Sequence, residues 1–256
     1  MEPLGPRLVG RRWLLTRAGG GVLGVAVLGL AGCSAEEPAP GTGASGSPDG
    51  DPVQPDASGP EATGPLSWSR VDLGFVSAYV LVRGRQAAVV DTGVGGSADA
   101  VGAVLDEVGA GWAGVRHVVL THKHEDHAGD VAEVLARATR ATGWVGEADL
   151  DQVPTQGLRP LADGDDVFGL RIVGTPGHTP GHMAVFDPDT RVLVAGDALT
   201  NEGTLAGANP DYTQDPQAAA ASVATLAELA PRVILPGHGP PIVEGAVAAL
   251  RALAAS

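Results

Sequence analysis

The sequence predicts an α/β fold of the layered α+β kind, with sheets covered by helices, and three observations carry that expectation. Short apolar, β-branched runs recur along residues 66–256, each stopped by a polar residue and a Gly or Pro, the pattern of strands buried on both faces. Segments of helical periodicity alternate with them. The strands outnumber what a simple doubly wound sheet would use.

The elements follow in chain order. Strands are expected at 66–73 and 78–82, then at Gln86-Ala87-Ala88-Val89-Val90, which runs into Asp91-Thr92-Gly93. A helix over 97–108 opens with Ser97 in a capping position. Val118-Val119-Leu120 leads into Thr121-His122, and a helix over 130–140 follows the histidine-rich segment. Leu170-Arg171-Ile172-Val173 ends in Gly174-Thr175-Pro176-Gly177-His178, with another strand at 183–186. Val192-Leu193-Val194-Ala195 gives way to Gly196-Asp197, after which residues 200–212 read as a loop bordering the site. Asp215-Pro216 starts a helix over 215–230. Val233-Ile234-Leu235 stops at Pro236-Gly237-His238, and a last helix covers 244–254. Five runs thus lead to Asp91, His122, His178, Asp197 and His238. In layered sheets such ends gather along one rim, where the sites of α/β folds sit.

The first 65 residues are organised differently. Arg7, Arg11, Arg12 and Arg17 precede an uncharged stretch at 18–32, short for a membrane span but suited to a signal peptide. Leu30-Ala31-Gly32-Cys33 resembles the bacterial lipobox, which implies a lipoprotein signal peptide over 1–33 and lipidation of Cys33. Arg11-Arg12-Trp13-Leu14-Leu15 resembles a twin-arginine signal, with Gly10 and Leu14 departing from it, so that route and the general one both stay open. Residues 34–65 hold 7 Pro, 6 Gly and 6 acids with no aromatic or basic residue, the composition of a disordered tether. The expectation is an exported protein, anchored through a lipid at Cys33 to the outer face of the cytoplasmic membrane, with its domain at 66–256.

Charge and cysteine usage exclude other classes. The chain carries 16 basic and 30 acidic residues, a net charge of −14. Such a surface repels phosphate backbones, so no nucleic-acid partner is expected. One Cys excludes an internal disulfide framework and any Cys-based metal cluster.

The chemistry is concentrated in Thr121-His122-Lys123-His124-Glu125-Asp126-His127. Three His and one Asp supply the imidazole nitrogens and carboxylate oxygen that zinc accepts at about 2.0–2.2 Å. On a loop leaving a strand, alternate residues point one way, which puts His122 and His124 on one metal and turns Asp126 and His127 towards another. Lys123, the only lysine, and Glu125 read as outward-facing spacers, and His117 as a surface or packing residue.

His122-x-His124-x-Asp126-His127 resembles the signature of the metallo-β-lactamase superfamily. Residues 175–182 resemble its third motif, Gly196-Asp197 its fourth, Pro236-Gly237-His238-Gly239 its fifth and Asp91-Thr92-Gly93 its early Asp motif, in the family's order across about residues 66–240. The resemblance implies an αββα sandwich of two similar halves with a dinuclear metal site at one edge. His122, His124 and His178 would hold the first metal, Asp126, His127 and His238 the second, and Asp197 would bridge both. The implied cofactors are two divalent ions, zinc in the first instance with iron or manganese open. Asp126 and Asp197 would be catalytic through that hold, with a metal-bridging hydroxide, available near neutral pH, as nucleophile. Asp91 is expected to orient a ligand or only to cap a tight turn, and His182 to support the site without touching metal.

Departures from family patterns narrow the substrate. Asp197 stands where β-lactamases of this fold generally have Cys or Ser, and no Gly-Cys-Gly-Arg type segment follows it as in glyoxalase-II-like enzymes. What survives is hydrolysis of a small-molecule ester, thioester or lactone, with Tyr212 as a possible substrate contact or a packing aromatic. A non-catalytic zinc-binding or interaction lipoprotein stays open beside it; a β-lactamase is disfavoured.

Overall fold

The structure is a computed structural model and describes residues 64–256. The signal segment, Cys33 and all but the last two residues of the tether lie outside the described residues.

The first sheet comprises β1 (Ser67–Asp72), β2 (Ser77–Arg83), β3 (Gln86–Val90), β4 (Val115–Val119), β5 (Thr142–Gly146) and β6 (Arg159–Leu161), in that spatial order. β1, β2 and β3 pair antiparallel, and β3 to β6 pair parallel. Its crossovers carry α1 (Ala98–Glu107), α2 (Gly111–Gly114), α3 (Glu125–Ala128) and α4 (Val131–Arg137). The second sheet runs β11 (Leu205–Gly207), β10 (Val192–Asn201), β9 (Met183–Asp187), β8 (Leu170–Gly174) and β7 (Asp166–Val167), all antiparallel, while β12 (Val233–His238) adds parallel to β10. α5 (Pro216–Glu228) and α6 (Ala246–Ala254) cover it.

β2, β3, β9 and most of β10 are buried on both faces, and the two-residue alternation of side chains sorts their residues between layers. In β2, Ala78, Val80 and Val82 join Val101 and Leu105 of α1 and Val134 of α4. Tyr79 and Leu81 point the other way and pack with Ile172, Val185 and Val194 of the second sheet. In β10, Val192 and Val194 face that middle layer, while Leu193 and Ala195 meet Leu226 of α5 and Leu250 of α6. Three apolar layers separated by two sheets make the αββα sandwich. The halves share layer order but differ in pairing, the first being half parallel and the second antiparallel but for β12.

Three expectations change. Ser97 occupies the N-cap of α1 without a side-chain cap bond; Asp130, at the N-cap of α4 in the same half, accepts the Ala98 N–H at 2.6 Å instead. Residues 200–212 are not a loop: β10 runs on to Asn201 and turns back through β11, and Pro210–Tyr212 forms a 3-10 turn. Lys123 does not point outward, because its side chain, 13% exposed, lies back against Asp149 and Gln152.

One buried ion pair spans the two sheets. Arg83, at the end of β2 beside the start of β3, donates to Asp187 at the end of β9, and both side chains are buried. This pair sits at the edge of the sandwich away from Asp91.

Candidate metal centre

The opposite rim gathers the histidines. β4 ends at Val119, and the chain bends at Thr121 and Lys123 and is extended at His124 (φ −62°, ψ 147°) before α3 begins. This bent stretch brings His122 Nε2 to 3.1 Å from His124 Nδ1. The helical turn then re-aims the next two side chains, and His127 Nε2 lies 3.7 Å from Asp126 Oδ2. From the second sheet, the turn after β8 delivers His178, whose Nε2 is 2.9 Å from His124 Nδ1. The end of β12 delivers His238, whose Nε2 is 3.4 Å from Asp126 Oδ2. Asp197, within β10, stands between the two groups: its Oδ1 is 3.1 Å from His127 Nε2, and its Oδ2 lies 3.2 Å from His238 Nε2 and 3.4 Å from His178 Nε2. All seven expected ligands are thus brought together, as one cluster of His122, His124 and His178 and another of Asp126, His127 and His238, with Asp197 facing both.

Hydrogen bonds to the far ring nitrogens set which atom is left for a ligand. His127 Nδ1–H donates to Asp91 Oδ2 at 2.8 Å, and His238 Nδ1–H to the Phe75 carbonyl at 2.7 Å. The Thr121 hydroxyl donates to Asp91 Oδ2 at 2.9 Å, so it accepts from His122 Nδ1–H at 3.0 Å. In each ring the Nε2 lone pair is therefore turned into the cluster. Asp91 also accepts the Thr121 N–H at 2.7 Å, so it touches the His127 ring directly and the His122 ring through Thr121; its left-handed backbone (φ 62°) is a conformation Asp tolerates. His182 has no nitrogen to offer. Its Nε2 accepts the Asp197 backbone N–H at 3.1 Å, and its Nδ1–H donates to Thr175 Oγ1 at 2.7 Å.

Two features fit the cluster to divalent cations. His127 Nε2 and Asp197 Oδ1, which face each other inside the cluster, are buried without a hydrogen-bond partner, a costly arrangement for polar atoms that stay unpaired. A single proton on His124 Nδ1 also could not serve both His122 and His178. Electrostatics point the same way. Burial pushes the His122 and His124 imidazoles below their usual range and His178 down to about 4, leaving the neutral, ligating form. Burial would lower His127 too, but the Asp197 and Asp91 carboxylates outweigh it and raise it well above the ordinary value. Hydrogen bonds to Asp126 and Asp197 carry His238 up to about 10. The carboxylates therefore demand positive charge where the ligand atoms converge, and divalent cations held there would supply it and displace those protons.

Close backbone approach completes the site. A Cβ at Gly237 would lie 2.1 Å from Asp197 Oδ1 and 2.8 Å from His127 Cε1, so only glycine fits before His238. The Tyr79 hydroxyl crosses from β2 to the Pro236 carbonyl at 2.7 Å, holding the turn that carries His238. Sequence reading overlooked this tyrosine, although a phenol within an apolar strand calls for a buried partner. Tyr212 stands 67% exposed; its neighbours Gln214 and Asp215 donate to the His178 and Gly177 carbonyls. His117 packs against Trp144 and Phe168 and accepts the Trp144 indole N–H.

Comparison with known proteins gives the same picture. The family description "Metallo-beta-lactamase superfamily" matches residues 71–238. Metallo-beta-lactamase domain-containing protein 1 of Xenopus laevis is 34% identical over 170 residues, 63% of this chain and 70% of its own length. A hydroxyacylglutathione hydrolase of Dechloromonas aromatica (strain RCB) is 34% identical over 145 residues, 52% of this chain and 49% of that one, so the match spans about half of that relative. A metallo-beta-lactamase family protein of Thermus thermophilus has a solved structure that superposes with a TM-score of 0.60 at 27% identity, covering 74% of this chain and 78% of its own. With its four-layer sandwich, its two His/Asp clusters and these relatives, the chain belongs to the metallo-beta-lactamase superfamily, as one of its metallo-hydrolases.

Proposed function

We propose that the chain is a dinuclear hydrolase that cleaves a small-molecule ester, thioester or lactone. The observation that carries this reading is the convergence of seven ligand side chains on buried, hydrogen-bond-poor atoms, with Asp197 reaching both clusters. His122, His124 and His178 would hold one ion, Asp126, His127 and His238 the other, and Asp197 both. A bound pair of divalent metals, zinc in the first instance, supplies Lewis acidity and an activated water at neutral pH. The chain's residues do the rest. Asp91 keeps a proton on His127 Nδ1, His182 holds the backbone of Asp197, and the Phe75 carbonyl fixes the His238 ring. No Ser or Cys nucleophile is called for, and no general base besides the ligand set.

Asp197 argues against β-lactams, and the relative named as a hydroxyacylglutathione hydrolase supports the hydrolysis of carbonyl substrates. The segment after Asp197 lacks a Gly-Cys-Gly-Arg type sequence, so the substrate is a small acyl compound without further assignment. Tyr212, exposed beside the His178 turn, is in this reading a substrate contact. The test is elemental analysis of purified protein followed by assay of an ester, thioester and lactone panel. Two metals per chain with chelator-sensitive turnover is the expected result; tight metal binding without turnover across the panel would leave the non-catalytic zinc-binding reading. We also propose that the chain is exported and lipid-anchored through Cys33. Cys33→Ala should then move the protein from the membrane fraction to the soluble one.

A further inference from the structure

One buried acid has no part in the chemistry described so far. Asp149 lies on the 3-10 turn Glu147–Gln152 between β5 and β6 and has no exposed surface. Its Oδ2 accepts the backbone N–H of Lys123 at 3.2 Å and the hydroxyl of Thr179 at 2.6 Å, and its Oδ1 accepts the backbone N–H of Gly181 at 3.0 Å. The Lys123 ammonium stands 3.9 Å from the same carboxylate and donates to Gln152 Oε1.

The partners are what give this residue meaning. Lys123 is the residue between His122 and His124, and Thr179 directly follows His178. The first metal cluster is assembled from these two stretches, which come from different sheets. A single carboxylate thus grips the backbone of one and both a side chain and the backbone of the other. The packing is built around it: a Cβ at Gly181 would lie 2.5 Å from the Asp149 nitrogen and 2.8 Å from its Cγ.

We infer that Asp149 is the positioning residue of the His122, His124 and His178 cluster, fixing the spacing between the two loops so that three imidazoles meet one divalent cation. The inference rests on reading the site as a metal centre. A buried carboxylate with three donors is rigid, because moving any of them leaves a polar group unpaired. Metal ligation tolerates only about 0.2 Å in ligand distance, so a small shift of one loop against the other is felt as affinity. Asp91 performs the equivalent task through His127 and Thr121; Asp149 touches no ligand side chain and acts through the backbone. Lys123, which looks like a spacer in sequence, provides the backbone amide and the compensating charge.

The test is zinc titration of the metal-free full chain against a chromophoric chelator in two backgrounds. His238→Ala leaves His122, His124 and His178 intact; His124→Ala leaves Asp126, His127 and His238 intact. Adding Asp149→Asn, which keeps shape and volume, should weaken zinc about 10- to 100-fold in the first background and less than about threefold in the second. A general loss of fold integrity would lower both equally, and that result, or no loss in the first background, overturns the proposal. Thr179→Val removes one of the three donors and should cost about 3- to 10-fold in the first background alone. It decides the matter if Asp149→Asn does not fold, and unchanged affinity there overturns the proposal as well. A wild-type chain that binds no zinc would instead sink the metal-centre reading and this one with it; two tightly bound zinc ions with a silent Asp149→Asn would sink this one alone.

Discussion

Replacing Asp91 by Asn tests how far the ligand set depends on a residue that meets no metal. Asn accepts the same left-handed backbone (φ 62°) and the same volume, so the change is confined to hydrogen bonding. Asp91 accepts three bonds of 2.7, 2.9 and 2.8 Å, from the Thr121 amide, the Thr121 hydroxyl and His127 Nδ1. An Asn oxygen can keep the Thr121 amide, and the hydroxyl can rotate to accept from the new NH2. The His127 N–H then faces a donor. It must either stay unpaired at a fully buried position or move its proton to Nε2 and lose the lone pair aimed into the cluster. An unpaired buried donor costs about 1–3 kcal/mol, or roughly 5- to 150-fold in affinity, in line with the 10- to 100-fold typical of residues supporting metal ligands. Stepwise zinc titration against a competing chelator should show one of the two sites weakened by that factor and the other within about threefold. Two sites of unaltered affinity, or a loss confined to a chain whose second cluster has already been removed, would refute the reasoning.

Gly237→Ala pushes a methyl group to 2.1 Å from Asp197 Oδ1, so metal content should fall below two per chain, with affinity reduced at least about tenfold, while circular dichroism of the metal-free protein stays unchanged. His117 is held by burial down to about 4 from an ordinary 6.5. Its folded form therefore takes up protons less readily than the unfolded chain, and its contribution to stability is complete above pH 6.5 and is lost as pH falls towards 4. Urea unfolding of the metal-free protein should show a pH 7 to pH 5 stability loss that is smaller in His117→Gln, by at most about 2 kcal/mol. Arg83→Ala leaves Asp187 charged and buried with only the Thr190 amide and hydroxyl for company; unfolding should show a loss of about 3–5 kcal/mol with zinc affinity unchanged.

The layers and most of the site were legible because they rest on short-range patterns. Runs such as Ala78-Tyr79-Val80-Leu81-Val82 advertise strands buried on both faces, and the spacing of His122, His124, Asp126 and His127 survives any detail of packing. What escaped was local weakness or distance. β5 reads Thr142-Gly143-Trp144-Val145-Gly146, and its two glycines dilute the apolar signal that parallel pairing between β4 and β6 restores. α3 is four residues long, too short to show periodicity. The end of β10 carries Thr200 and Asn201, polar because that hairpin is half-exposed. Asp149 was invisible for another reason: its partners lie 26 to 32 residues away, and nothing in a 3-10 turn marks a side chain as buried.

The sandwich is fastened at both rims, but by fasteners of different kinds. At one rim Arg83 and Asp187 form an ion-pair bolt made from the chain's own side chains. At the other, His122 to His127 come from one half and His178, Asp197 and His238 from the other, so the ions would be a removable rivet. Stripping them should loosen that rim, which the Tyr79 and Asp149 hydrogen bonds would still hold together, with faster amide exchange near β12 and α3 than near β9. Chemistry and mechanical integrity then share the same two atoms, and a cell that withholds metal would slacken the scaffold as well as silence it.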